Sequence, residues 1–298
     1  MRNGSGVLGT AAAVCRLLAG GAPLAGQTPP APPASLQTIV VPANGRCVTK
    51  APAESGDLGA VWAVARTGLA AVVRTEQSRQ VAMDVDLFER TYDKSGRKLI
   101  DQQVTSRTGV SARPVTLLSA TTLRTFGYAH VEADGVRFFA PDATVLASDE
   151  FGAGYCMRLH DPLERDSVPG GIGIAFTPSA ERPQTDIEGV LWLDRATGEL
   201  RRLDYHYNRM PADFKAPSAG GRLVFRTLPK GLAFTQQWSL RLPIVTVGER
   251  RQGGIDRYST NREDHAEKLV PFAVVTGFRE FGGIVKRAEV SGAPAWTP

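Results

Sequence analysis

The run DIEGVLWLDRATGELRRLDYHYN, residues 186–208, decides the fold. It divides at Asp194-Arg195-Ala196-Thr197-Gly198, which reads as a hairpin turn. The flanking segments Asp186–Asp194 and Glu199–Tyr207 read as two antiparallel strands. A second ribbon follows. Arg222–Thr227 and Leu232–Leu242 flank Leu228-Pro229-Lys230-Gly231. In the longer strand Leu232, Phe234, Trp238, Leu240 and Leu242 are expected on one face, because strand side chains alternate.

The same period of two extends toward the N-terminus. Val81, Met83, Val85 and Leu87 alternate with Ala82, Asp84, Asp86 and Phe88, which predicts a half-buried strand. Asp93-Lys94-Ser95-Gly96 reads as a turn, with a polar strand returning over 97–108. Ser119 starts a short helix to Phe126. Asp134-Gly135 joins Tyr128–Glu132 to Val136–Phe139 as a hairpin. Residues 141–152 are expected as a short helix or structured loop, and 155–160 and Ile172–Phe176 as strands. A short strand is also expected at Ile39–Val41. Toward the C-terminus, the charged, glycine-bearing stretch 246–266 reads as a surface loop. Phe272–Arg279 and Ile284–Val290 read as a closing hairpin around Phe281-Gly282-Gly283.

The period is 3.6 in one long segment, 55–76. Leu58, Val61, Trp62, Ala65, Leu69, Val72 and Val73 make one apolar stripe, with Ser55 as cap and Asp57 in the first turn. These elements predict a mainly β (α+β) chain. About nine or ten strands form a large curved antiparallel sheet or half-open barrel, since wide flat sheets are uncommon. The long N-terminal amphipathic helix covers its concave face.

Composition agrees. The 298 residues are 42% hydrophobic and 22% charged, with 31 Gly and 20 Pro, which favours a turn-rich globular chain. A net charge of +5 over this length is no nucleic-acid footprint, so nucleic acid is not an expected partner. No apolar run after the N-terminus reaches the length of a transmembrane helix.

Residues 1–26, MRNGSGVLGTAAAVCRLLAGGAPLAG, have the layout of a signal peptide: Arg2, an Ala/Leu/Val-rich stretch, then small residues. Export to the periplasm, the outer membrane or the medium is the expectation. A disordered Ala/Gly-rich leader is the alternative. Cys15 has Val14 before it and Arg16 after it, which does not suit lipid attachment. Residues 27–44 open on a Pro-rich linker, and 45–292 are expected as a single β-rich domain. Cleavage would remove Cys15 and leave Cys47 and Cys156; an exported chain with two cysteines predicts a disulfide between them, with two buried free thiols as the alternative.

The ribbon Gly189–Tyr205 resembles a hairpin of the periplasmic lipoprotein-carrier proteins, whose half-open barrels are covered by helices. Three further segments widen the likeness: Phe139-Ala140-Pro141-Asp142-Ala143, Cys156-Met157-Arg158-Leu159 and Gly220–Pro229. With the Leu191–Thr197 segment they make 45–245 resemble exported bacterial proteins labelled carboxypeptidase regulatory-like, without the N-terminal sandwich module of those proteins. Neither resemblance implies a catalytic residue.

The segments that come nearest to catalytic patterns have ordinary structural readings. Gly171-Ile172-Gly173 lacks the third glycine of a dinucleotide fingerprint. Ser95-Gly96-Arg97-Lys98 has the S-x-x-K spacing but falls in a turn, where Ser and Lys are not one helical turn apart. Asp84 and Asp86 share a strand face, which is expected to be solvated. His160, Asp161, Glu164 and Asp166 match no calcium loop. His130, His206 and His265 are scattered. Arg201, Arg202, Arg209, Arg222, Arg226 and Arg241 are expected to mix with acidic neighbours on strand surfaces. No metal or cofactor is expected.

The function expected is non-catalytic: an exported binding module holding an apolar or amphipathic ligand, or a partner segment, against the curved sheet. Trp62, Leu69, Trp192, Tyr205, Tyr207, Phe234 and Trp238 are the candidate groove residues. A structural, envelope-associated protein that contacts an envelope partner is the alternative, and a hydrolase with an unrecognised site is the third reading.

Overall fold

The computed structural model describes residues 57–110, 118–132, 135–160, 168–179, 182, 184–210, 216, 218–252 and 268–298. Residues 1–56, with the expected signal segment, the linker, Ile39–Val41 and Cys47, lie outside the described residues, as do Asp161, Glu164, Asp166 and His265. All the described residues belong to one compact unit.

The order is α1 (Asp57–Ser78), β1 (Val81–Tyr92), β2 (Leu99–Val110), α2 (Ala120–Phe126), β3 (Ala129–Glu132), β4 (Gly135–Phe138), α3 (Ala143–Ala147), α4 (Asp149–Gly154), β5 (Tyr155–Leu159), β6 (Gly171–Pro178), β7 (Asp186–Asp194), β8 (Leu200–Asn208), β9 (Gly220–Leu228), β10 (Leu232–Gln252), β11 (Lys268–Val290) and β12 (Ala293–Trp296). Ten strands form one antiparallel sheet, β2-β1-β11-β10-β9-β8-β7-β6-β5, with β12 on β11. β3 and β4 pair separately. The sheet does not close: β2 and β5 are its edges.

The helix predicted over 55–76 is α1. Its buried residues, Val61, Trp62, Ala65, Leu69, Val72 and Thr75, lie on the sheet. Buried Thr75 is partnered twice. Its hydroxyl donates to the Ala71 carbonyl and accepts the Ala233 N–H at 3.1 Å, which ties the end of α1 to β10. The helix shares the cover with a second layer. Ser119, Asp142 and Ser148 each accept a backbone N–H at the start of α2, α3 and α4. Leu123, Val145, Leu146 and Phe151 from these short helices join the core. One cluster therefore runs from α1 through both helical layers to Met83, Val85, Ile174, Leu191, Leu203, Leu223 and Val285 of the sheet.

The C-terminal third departs from expectation. The stretch from 246 does not open as a loop, because β10 continues to Gln252. Phe281-Gly282-Gly283 is not a turn. It lies inside β11, one strand of 23 residues paired with both β10 and β1. Two aromatic rings explain the glycines. A Cβ on Gly282 would meet the ring of Phe88, and one on Gly283 the indole of Trp238. Phe88 and Trp238 thus pack flush on opposite faces of β11, where any larger residue would exclude them.

Candidate binding site

Strand register places the seven groove candidates. Trp62 and Leu69 project from α1, and Tyr205, Tyr207 and Trp238 from the sheet face beneath the helices. Trp192 does not join them. Trp192 pairs in register with Gly173 and Arg202, on the outer face, and packs with Ala175 and Val190 in a separate cluster. A bulge between Thr235 and Gln237 sets Phe234 out of step with Trp238, in register with Arg226, where it packs on Trp296 and stays fully buried in the main core cluster. The alternation from Leu232 to Leu242 breaks there, because one extra residue shifts every later side chain to the other face.

The helix-covered half of the inner face is filled with side chains. Trp62, Leu69, Tyr205, Tyr207 and Trp238 are all buried. Phe151 stacks on Tyr155 at 4.3 Å, Trp62 on Phe151 at 6.3 Å, and the Tyr207 hydroxyl donates to the Phe139 carbonyl at 2.7 Å. Burial pushes the phenols of Tyr128, Tyr155, Tyr205 and Tyr207 above their ordinary range, since no ionised oxygen is solvated there.

The other half of that face is uncovered. Beyond Trp238, the side chains of Leu240, Leu242 and Ile244 continue along β10 on the same face, each half-buried. Phe281 of β11 stands opposite Leu240 and is 37% exposed. A register shift between Ile244 and Val245 brings Val274 opposite Thr246, where it is 47% exposed. These five residues make an apolar strip continuous with the core. Arg279, opposite Leu242 on the same face, lies over the Phe281 ring and pairs with Glu89 at 3.2 Å, so one charged pair sits within the strip.

Three polar features stand out as candidates for chemistry. The first is buried. Arg182 Nε donates to Asp186 at 2.5 Å, its other nitrogens reach the carbonyls of Leu123 and Arg124, and the Tyr155 hydroxyl donates to Asp186. This network pins the end of α2 to the start of β7 and lies out of reach of a substrate. The second is a cavity of about 230 Å³ on the outer face, lined by His160, Val168, Gly171, Gly173, Trp192 and Arg195. Among the described residues its lining offers the Arg195 cation and the His160 imidazole, with no hydroxyl, thiol or carboxylate. The third is the set of arginines, which are taken up locally. Arg201 pairs with Asp194, Arg202 and Arg222 with Asp204, Arg226 with Gln236, and Arg209 with the Ser179 carbonyl. Arg241 lies over the rings of Tyr92 and Phe278 and donates to the Gly96 carbonyl.

Of the remaining polar candidates, His130 lies between the rings of Phe126 and Phe139, and its buried Nε2 has no hydrogen-bond partner among the described residues. Asp86 accepts from Ser106 at 2.6 Å, and His206 meets Glu188 at 2.6 Å. Ser95 and Lys98 sit in the β1–β2 turn, organised by Asp93. Among the described residues, no three His, Cys, Asp or Glu side chains converge as metal ligands, and no helix is long and apolar enough to cross a membrane. Cys156 of β5 is disulfide-bonded, and Cys47, its expected partner, lies outside the described residues. The exposed strip is the feature that sequence reading missed. Leu240 and Leu242 were legible as apolar, but Val274 and Phe281 reach their side only through the long β10–β11 pairing. Comparison with protein-family models, curated proteins and solved structures gives no match to this chain.

Proposed function

We propose that this protein is an exported, non-catalytic binding module. It holds an apolar or amphipathic ligand, or a partner segment, on the part of the sheet that the helices leave bare. The observation that carries the reading is the strip Leu240, Leu242, Ile244, Phe281 and Val274, an apolar surface continuous with the core yet open to solvent. Such surfaces on a folded chain mark ligand or partner contacts. The packed aromatic residues under α1 act as the floor that keeps the strip rigid. The Arg279–Glu89 pair offers polar contacts within the strip, beside Leu242 and Phe281, which suits an amphipathic occupant. The resemblance to lipoprotein carriers is in keeping with this role, and the Cys47–Cys156 bridge is part of the same proposal.

Titration of the purified protein with 1-anilinonaphthalene-8-sulfonate and with palmitate tests it. Saturable binding is expected, weakened at least about tenfold by Phe281→Asp combined with Val274→Asp, since a charge in an apolar contact is not solvated. The thermal midpoint should stay close to that of the parent. Absence of binding, or binding untouched by the two substitutions, overturns the reading.

A further inference from the structure

We infer that β2 is a self-association strand, pairing antiparallel with β2 of a second copy about a two-fold axis at Val104. This goes beyond the ligand reading and does not depend on it.

Among the described residues β2 is bonded to β1 alone, and none of them covers its outer edge. Every residue from 99 to 109 is exposed, including Leu99 at 46%, Ile100 at 62% and Val104 at 54%. The strand is 12 residues long and contains no proline. The opposite edge, β5, has five residues. Natural sheets blunt their edges with short strands, prolines, bulges or inward charges, because an open edge templates pairing with another strand. β5 is blunted by its length, whereas the middle of β2 is not blunted at all.

Register and charge select one pairing. Register shifts interrupt the β1–β2 ladder at both ends, leaving Asp101–Arg107 as the unbroken stretch opposite Thr91–Val85. Its midpoint is Val104. A two-fold axis normal to the sheet joins residues of equal parity, so that matching faces stay together. Centred on Val104, the pairing sets Asp101 opposite Arg107 of the second copy, and Arg107 opposite its Asp101. These are the only charged residues of β2. Neither takes part in an ion pair among the described residues, whereas Asp86, Glu89 and Arg90 of the adjacent strand are each partnered. Centring on Gln103 or Thr105 instead would set Asp101 against an uncharged residue and move a charged one out of the regular stretch. The valines meet at the axis, and Gln102 faces Ser106.

Sedimentation velocity of the full chain at micromolar concentration tests this, with thermal melts to confirm folding. A dimer is expected. Asp101→Arg should weaken it at least about tenfold, because two like-charge pairs replace two opposite-charge ones. Adding Arg107→Asp in the same chain should restore it. Val104→Cys should give a disulfide-linked dimer under mild oxidation, since directly opposed strand residues lie within disulfide reach. A monomeric parent protein, a dimer indifferent to Asp101→Arg, or failure of the double exchange to restore association overturns the inference.

Discussion

The indole of Trp238 occupies the space that a side chain at position 283 would need, so Gly283 is the only residue type that fits beside it. The contact lies where the packed half of the inner face gives way to the open strip. Gly283→Ala should therefore destabilise the fold by about 1–3 kcal/mol through overpacking. Urea denaturation checks this. Trp238→Phe in the same chain should recover part of the loss by freeing ring volume.

Arg182 and Asp186 are both buried, and each would be left as an isolated charge if the other were neutralised. Asp186→Asn is expected to cost about 3–5 kcal/mol, the range for breaking one side of a buried pair. Replacing both by apolar residues, Arg182→Met with Asp186→Leu, should cost less than the single change. Denaturation midpoints of the three variants test the ordering.

Four of the six tyrosines, Tyr128, Tyr155, Tyr205 and Tyr207, have phenols held above the ordinary range by burial. The folded state keeps these protons after the unfolded chain begins to lose them near pH 10. Stability is then independent of these groups below about pH 10 and falls as pH rises beyond it. Absorbance at 295 nm should show the four phenols ionising together with loss of near-UV circular dichroism. Their ionisation in the intact fold near pH 10 would contradict the packing.

Asp194 accepts the backbone N–H groups of Thr197 and Ala196 and pairs with Arg201, which together lower its carboxyl to about 2, the Thr197 bond contributing most. Its stabilisation is complete above the unfolded value of about 4 and is lost as pH falls from there toward 2. Asp194→Ala should cost about 1 kcal/mol at neutral pH, a typical net value for a lost turn hydrogen bond. The variant should also show a flatter stability profile between those pH values, measured by urea midpoints.

Much of this architecture was legible in the chain itself. The stripe from Val61 to Val72 specified α1, because residues one turn apart share a face whatever surrounds them. Asp194–Gly198 and Asp93–Gly96 specified their turns, because the hydrogen bonds that close them are made within a few residues. One-sided alternation specified an open antiparallel sheet with a covered face. Distant contacts decided the rest. Gly282 and Gly283 read as a turn until Phe88 and Trp238, far away in sequence, filled the space above and below them. Trp192 carried the right chemistry for a groove, but strand register put it on the outer side, and one bulged residue set Phe234 out of step with Trp238. The apolar strip exists because β10 and β11 run past the end of the helical cover. Local sequence determines which face of a segment is apolar. Only the assembled sheet determines which of those faces is covered by another part of the chain, because cover depends on strand length, register and order, all set by partners outside the segment.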